Sequence, residues 1–371
     1  MSHILFISHA RGIHGAEAVM MQAAKACVAK GARVTIIVPS IVEDAGMEQA
    51  LDGVQGVKTI TLPYRAAGVH ALRNAFVKVY NLYALCRLAA FVRKEGVDVV
   101  YSSSSITILG ADLARLTRVS HIWHWHEPVD PYFGWHPSMK SLYRRLALRT
   151  KTIVCISLAQ QKEWEETLGI RLNNAKVVYN PIKLISSISS DKNTSHEDLR
   201  IGFIGCFEKR KNIGLLVRAF EHVNAQNNRC SLWLCGATSE ADRQYVEAMT
   251  SLREPTVNIL SQTADVASFY ACIDILVLPS WRETMPLVVL EAMQAGVCVL
   301  QTDRSGMKEI IEDGKESLFF SPEKPDEIED LLSKCMDETY RRTIAQTGQK
   351  KAIELVNNQT FDQQIQSLLC E

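Results

Sequence analysis

DILVLP (274–279), SWRETMPLVVLEAMQAG (280–296) and VCVLQ (297–301) follow one another without a break, and their reading decides the fold. The outer two are short apolar runs without polar alternation, the pattern of strands buried on both faces. The middle segment opens as a polar loop and carries a helical pattern over 286–295. Pro286 suits a first helical turn, where its missing N–H would be unpaired in any case. Strand, loop, helix and strand in this order form one turn of a parallel α/β winding.

Outward from there the same alternation fills the chain. The second half adds IGFIG (201–205), SLWLC (231–235), VNIL (257–260) and SLFF (317–320), with helical patterns over 213–226, 265–273 and 325–356. The first half holds HILFIS (3–8), RVTIIVP (33–39), VDVVYS (97–102), HIWHWH (121–126), TIVCIS (152–157) and AKVVYN (175–180). A helical pattern runs from 15 to a capping Gly31, and a long amphipathic stretch covers 72–95. The alternation predicts an α/β fold of two Rossmann-like parallel-sheet domains facing each other across a cleft. A length of 371 residues also exceeds what one core usually serves. The polar, serine-rich run 181–199 has no sustained period. It predicts a first domain over 1–185, a linker over 186–199 and a second domain over 200–356, with the last residues, 357–371, packing back onto the first.

Hydrophobic residues make up 47% of the chain and charged residues 22%, which excludes a disordered or collagen-like chain. Basic and acidic side chains balance at 41 each, so overall charge gives no argument for nucleic acid. The halves differ: residues 1–190 carry 22 basic and 13 acidic side chains, net +9, and residues 191–371 are net −9. Two surfaces with different partners are expected. Ten cysteines without a CxxC pair indicate a reducing, cytoplasmic compartment and no zinc or disulfide framework. No apolar run approaches the ~18–20 residues of a membrane span.

Glu283 lies in the loop before the 286 helix, and Glu291 lies about 7.5 Å further along the axis than Pro286. Free N–H groups at the helix start favour a phosphate. Carboxylates on either side match the paired O–H donors of a sugar and a ribose. The plainer reading is a solvated Glu283 and a capping Glu291. PSWRETMPLVVLEAMQAG (279–296) resembles the E-x7-E segment of the family 4 nucleotide-sugar glycosyltransferases, which have the two-domain GT-B fold. The similarity extends to the N-terminal glycine loop, the strand ending in His-Glu, YNP (179–181), IGCFEKRKN (204–212) and TDRSGMKEII (302–311). The resemblance implies that Glu283 contacts the transferred sugar and Glu291 the ribose. Thr284, Met285, Pro286 and Leu287 complete that part of the donor site.

IGCFEKRKNIGLLVRAF (204–220) is a strand, a charged turn and a helix, which puts Arg210 and Lys211 at the strand's carboxyl end. The family pattern is G-R-x4-K-G/N, its Arg and Lys neutralising the leaving diphosphate. Lys211 and Asn212 match it, but Cys206 occupies the arginine position, and neighbouring Arg210 can supply the lost charge. In HARGIHGAE (9–17), glycines between a strand and a helix start allow a ligand close to the backbone. The resemblance puts this loop over the donor diphosphate and the acceptor, which makes Gly12, His14, Gly15 and Glu17 cleft residues. HIWHWHEP (121–128) sets His124 and His126 on one strand face and Trp123 and Trp125 on the other. A third metal ligand is lacking by spacing, so no metal is expected. The resemblance makes His126 the catalytic cleft histidine, with Glu127 and His124 beside it.

The basic stretches 72–94 and 138–151 suit helices that cover a sheet, and equally helices that touch anionic membrane. Bacterial members of the family often glycosylate lipid-linked acceptors at the membrane's inner face. The resemblance therefore implies transfer of a sugar, with retention and without a metal or other cofactor, from a UDP- or GDP-sugar to a carbohydrate or lipid-linked acceptor. Cell-surface polysaccharide or glycolipid synthesis, by a cytoplasmic and peripherally membrane-associated enzyme, is the setting. Two alternatives stay open: a UDP-N-acetylhexosamine epimerase of the same fold, or a weakly active sugar-nucleotide-binding partner, which Cys206 would explain.

Overall fold

The computed structural model describes residues 1–13, 15–40, 46–67, 71–130, 135–185, 198–227, 229–250, 255–263 and 265–370. The chain divides into two units, Met1–Pro181 with Thr360–Glu371, and Ile182–Gln359.

The first strand, His3–Ile7 (β1), explains why its sequence lacks polar alternation. Ile4 and Phe6 join a core with Val19, Met20 and Ala23 from the helix Gly15–Ala29, while Leu5 and Ile7 join Leu88, Val92 and Leu113 on the other face. Around it stand Arg33–Pro39 (β2), Val57–Leu62 (β3), Val99–Ser103 (β4), Ser120–Trp125 (β5), Thr152–Cys155 (β6) and Ala175–Val177 (β7). They pair in parallel in the order β3-β2-β1-β4-β5-β6-β7. The order reverses between β1 and β4, and loops at the carboxyl ends of these strands form the ligand crevice of such a sheet.

Two expectations change here. Strand β3 is absent from the sequence reading because VKTITL has no apolar run; it is an edge strand with only Leu62 fully buried, set by its register on β2. The amphipathic stretch 72–95 is two helices, Ala71–Tyr80 and Leu82–Glu95. They part at Asn81, whose amide accepts from Arg65 N–H at 2.9 Å and donates to Arg65 C=O at 2.8 Å. The C-terminal helix Phe361–Leu369 belongs to this first unit. Phe361, Ile365 and Leu369 enter the β1 core, each contributing roughly 1.5–3 kcal/mol by burial. Gln366 also donates to Ala26 C=O at 2.8 Å.

The second unit holds Leu199–Ile204 (β8), Cys230–Ala237 (β9), Val257–Ser261 (β10), Ile275–Leu278 (β11), Cys298–Thr302 (β12) and Leu318–Phe320 (β13). Their order is β10-β9-β8-β11-β12-β13, again all parallel, with the reversal between β8 and β11. Gly205 and Gly236 end β8 and β9 at φ of 147° and 141°, and a Cβ on Gly236 would stand 2.0 Å from Gly205 O. Only glycine fits there.

The domain boundary moves from 185 to 181, because side chains of the second unit hold residues 182–185. Gln294 accepts from Ile185 N–H at 3.2 Å and donates to Lys183 C=O at 2.9 Å; Gln359 exchanges bonds with Ile182 at 2.9 and 3.0 Å. That unit accordingly runs to 359, past the expected 356. Linker residues 186–197 lie outside the described residues. The pattern 325–356 is also two helices, Pro325–Lys334 and Glu338–Asn357, the second capped by Asp337 through Tyr340 N–H at 2.9 Å.

Candidate functional site

In the second unit the reversal between β8 and β11 brings together the loops 205–212 and 279–286. Lys209–Lys211 forms one tight turn, closed by Asn212 in the left-handed region at φ 52°. This turn carries Lys211 Nζ to 2.6 Å from Glu283 Oε1. Ser280 Oγ donates to the same oxygen at 2.6 Å, and Arg210 Nη1 stands 3.8 Å from it. Arg210 Nε binds Glu208 Oε2 at 2.8 Å, while its C=O accepts from Trp281 N–H at 3.0 Å and ties the two loops together. The loop after β12 closes the third side: Glu283 N–H bonds Arg304 C=O at 2.9 Å and Gly306 N–H bonds Thr284 C=O at 3.0 Å. Burial alone would raise the Glu283 carboxyl; Lys211, Arg210 and the Ser280 hydroxyl outweigh it and hold the group below the usual carboxylate range.

Pro286 is not in the first helical turn. Its ψ of 110° makes it the residue before the helix Leu287–Gln294, and its C=O accepts from Val289 N–H at 3.2 Å. Met285 is buried and Leu287 half-buried. Glu291 accepts from Tyr270 O–H at 2.9 Å, and burial raises its carboxyl against Tyr270 and Lys183. Sequence reasoning missed Tyr270, which sits inside a short helix where no spacing marks it. The Asn212 amide nitrogen is buried with no hydrogen-bond partner, a donor still to be satisfied. Cys206 is exposed and brings no charge.

In the first unit the loops after β1, β4 and β5 meet. Gly12 is buried, Gly15 opens the helix with open space where a Cβ would lie, and His14 lies outside the described residues. Glu17 is fully buried, 2.9 Å from His9 Nδ1. Burial pulls the His9 imidazole down, but Glu17 and Glu127 outweigh it and raise the group above its ordinary value. His9 was not singled out by sequence, although its place directly after β1 is a signal. Burial pushes the His126 imidazole down to about 4, with Glu127 and Glu17 opposing, so it is neutral near pH 7. Glu127 Oε2 accepts from the backbone and hydroxyl of Ser105 at 2.8 and 2.9 Å. Burial raises this carboxyl, and His9, His126 and the Ser104 and Ser105 donors bring it below its ordinary range.

The strand-face reading of HIWHWHEP holds: the His124 and His126 rings lie 4.1 Å apart, and Trp123 and Trp125 pack on the other side with Tyr143 and Trp164. His124 is fully buried, with Nδ1 bonded to the Tyr101 hydroxyl and its ring set against His126. Among the described residues no group of three or more His, Cys, Asp or Glu is placed to hold a metal ion.

Comparison with known proteins agrees with this geometry. Residues 13–184 match the family model described as Glycosyltransferase Family 4, and residues 198–338 match the one described as Glycosyl transferases group 1. An uncharacterised glycosyltransferase of Methanocaldococcus jannaschii is 22% identical over 265 residues, 70% of this chain and 71% of that protein. CapM of Staphylococcus aureus, a capsular polysaccharide biosynthesis glycosyltransferase, is 25% identical over 180 residues, 47% of this chain and 46% of its own length. The structure of Anabaena HepE in complex with UDP and glucose superposes with a TM-score of 0.79 at 19% identity, covering 100% of both chains. With consecutive family matches from residue 13 to residue 338 and a GT-B architecture in both sheets, the chain belongs to the family 4-like glycosyltransferases.

Proposed function

We propose that the protein transfers a hexose-type sugar from a UDP- or GDP-linked donor to a carbohydrate or lipid-linked acceptor, with retention of configuration and without a metal ion. The observation that carries this reading is the cluster of Lys211, Arg210, Ser280 and Glu283 at the carboxyl ends of β8 and β11. Lys211 and Arg210 would take up the charge that develops on the departing diphosphate, assisted by the first N–H groups of the Leu287 helix. The contacts on Glu283 fall on Oε1, which leaves Oε2 for a sugar hydroxyl. Glu291, steadied by Tyr270, is the acceptor for the ribose hydroxyls.

In the reaction the bond from the anomeric carbon to the diphosphate oxygen breaks, the acceptor oxygen bonds to that carbon on the same face, and a phosphate oxygen takes the acceptor proton. No enzymic nucleophile is needed. In the first unit neutral His126 would offer a hydrogen bond to the acceptor, with Glu127 and the His9–Glu17 pair beside it. Neighbours support the substrate class: HepE structures hold UDP, UDP-glucose and glucose, and CapM is named for capsular polysaccharide synthesis.

The test combines a binding screen of UDP-, GDP- and ADP-sugars with a Glu283→Gln variant. Turnover should fall far more than affinity for the free nucleotide, and activity should survive excess EDTA. Equal losses in turnover and affinity would remove Glu283 from the sugar, and epimerised donor formed without any acceptor would replace transfer with epimerisation.

A further inference from the structure

The helices Ala71–Tyr80 and Leu82–Glu95 send Leu88, Ala89 and Val92 into the first unit's core, yet they carry a second apolar surface that packs on nothing described. Phe76 is 78% exposed, Val79 74%, Tyr80 43%, Leu82 56% and Tyr83 57%. Phe76, Val79 and Tyr80 stand at i, i+3 and i+4 on one helix face, while Val77 is buried on the other. Single exposed apolar side chains are ordinary on any surface; five within eight residues form a patch.

The charge around this patch has one sign. From 53 to 94 the sequence has no Asp or Glu and holds Lys58, Arg65, Arg73, Lys78, Arg87, Arg93 and Lys94. The Arg65 guanidinium lies 5.1 Å from the Tyr80 ring centroid, and exposed Arg87 follows Tyr83 by one helical turn. Lys78 faces a nearby carboxylate, Asp112 at 3.6 Å. We propose that this face docks on an anionic lipid bilayer, with Phe76, Val79, Tyr80, Leu82 and Tyr83 entering the boundary of headgroups and acyl chains. Arg65 and Arg87 meet the lipid phosphates. Aromatic rings flanked by cations are the composition that such a boundary selects. The docking rests on these exposed residues; only its purpose, bringing the enzyme to a lipid-linked acceptor, rests on the function proposed above.

The full chain is sedimented with phosphatidylcholine vesicles, with and without phosphatidylglycerol, at low and high salt. Binding should be at least about tenfold stronger to the anionic vesicles and weaken with salt. Phe76→Ser combined with Tyr83→Ser should lower it by about tenfold or more, with an unchanged melting temperature because both side chains are exposed. Absence of binding to anionic vesicles at low salt, or equal binding by the double variant, would overturn the proposal. A concentration-dependent dimer that the double variant abolishes, without vesicle binding, would assign the patch to a second copy of the chain. Donor affinity measured on the same samples keeps the two readings separate: vesicle binding without donor binding overturns the transfer function alone.

Discussion

Lys211→Ala should weaken both the fold and the chemistry, for reasons that separate in a mutant cycle. The Lys211 and Glu283 side chains are 12% and 10% exposed and 2.6 Å apart, so solvent screens the pair little. Removing one partner of a buried pair costs about 3–5 kcal/mol when nothing replaces it. Here Ser280 at 2.6 Å and Arg210 at 3.8 Å stay on the same carboxylate oxygen, which lowers the expected loss to about 2–3 kcal/mol. In a unit of this size that is a fall of about 4–12 °C in melting temperature. The pH dependence has a fixed sign. Glu283 is held below its ordinary range, so its contribution is present above about pH 4.3 and is lost as pH falls through the folded value. The deficit of Lys211→Ala should therefore be full near neutrality and shrink in acid. On the proposed reading Lys211 also meets the donor diphosphate, and losing that contact should cost roughly ten- to a hundred-fold in turnover. Calorimetry of the wild type, Lys211→Ala, Glu283→Gln and the double variant measures the coupling. The same loss from Lys211→Ala in both backgrounds would refute the pair.

In the first unit, His9 is raised and Glu17 lowered by their contact, against burial in each case. The His9 part is full below about pH 6.5 and the Glu17 part above about pH 4.3, so Glu17→Gln should destabilise most between these values; a pH-independent difference in denaturant midpoint would refute the pairing. Gly236→Ala, whose Cβ would stand 2.0 Å from Gly205 O, should cost more than about 3 kcal/mol or prevent soluble expression, whereas a wild-type melting temperature would show that the backbone yields easily. Cys206→Arg should rescue an Arg210→Ala variant in turnover and add little to the intact protein, and strictly additive effects would show that Arg210 does not serve the diphosphate.

The sequence displayed β1, β2, β8, β11 and β12 because each is covered on both faces and so is a continuous apolar run. It concealed β3, whose half-exposed edge position needs only one buried side chain. Helix breaks at Asn81 and Asp337 were hidden for another reason. Apolar spacing continues across them, and the break is made by side-chain bonds to Arg65 and Tyr340. The site was legible as a set of residues but not as contacts. Lys211 and Glu283 are 72 residues apart, and their bond follows from the adjacency of β8 and β11. Pro286 lies one residue outside its helix because Glu283 N–H donates to Arg304 C=O and Gly306 N–H to Thr284 C=O, bonds that hold the preceding loop extended. Tyr270 reaches Glu291 from a different helix, a contact that sequence spacing alone does not encode.

The ionic arrangement of the second unit bears on which ligand the site prefers. Arg210 and Lys211 each have a carboxylate partner, Glu208 and Glu283, and Cys206 adds no third cation to the turn beyond Lys209. On the proposed reading a diphosphate competes with Glu283 for Lys211, and the buried carboxylate, left mainly with Ser280 at 2.6 Å and Arg210 at 3.8 Å, then gains from a further donor. A free nucleoside diphosphate offers none at that position. An intact nucleotide sugar, on the proposed reading, brings hydroxyl groups to Glu283 while its phosphates take Lys211 and the Asn212 amide, whose nitrogen is buried without a partner. On that reading the bond between Lys211 and Glu283 would tie recognition of the phosphates to recognition of the sugar. It should make the intact donor bind better than its nucleotide fragment, and Glu283→Gln should narrow that difference because a neutral amide is left with less unmet demand.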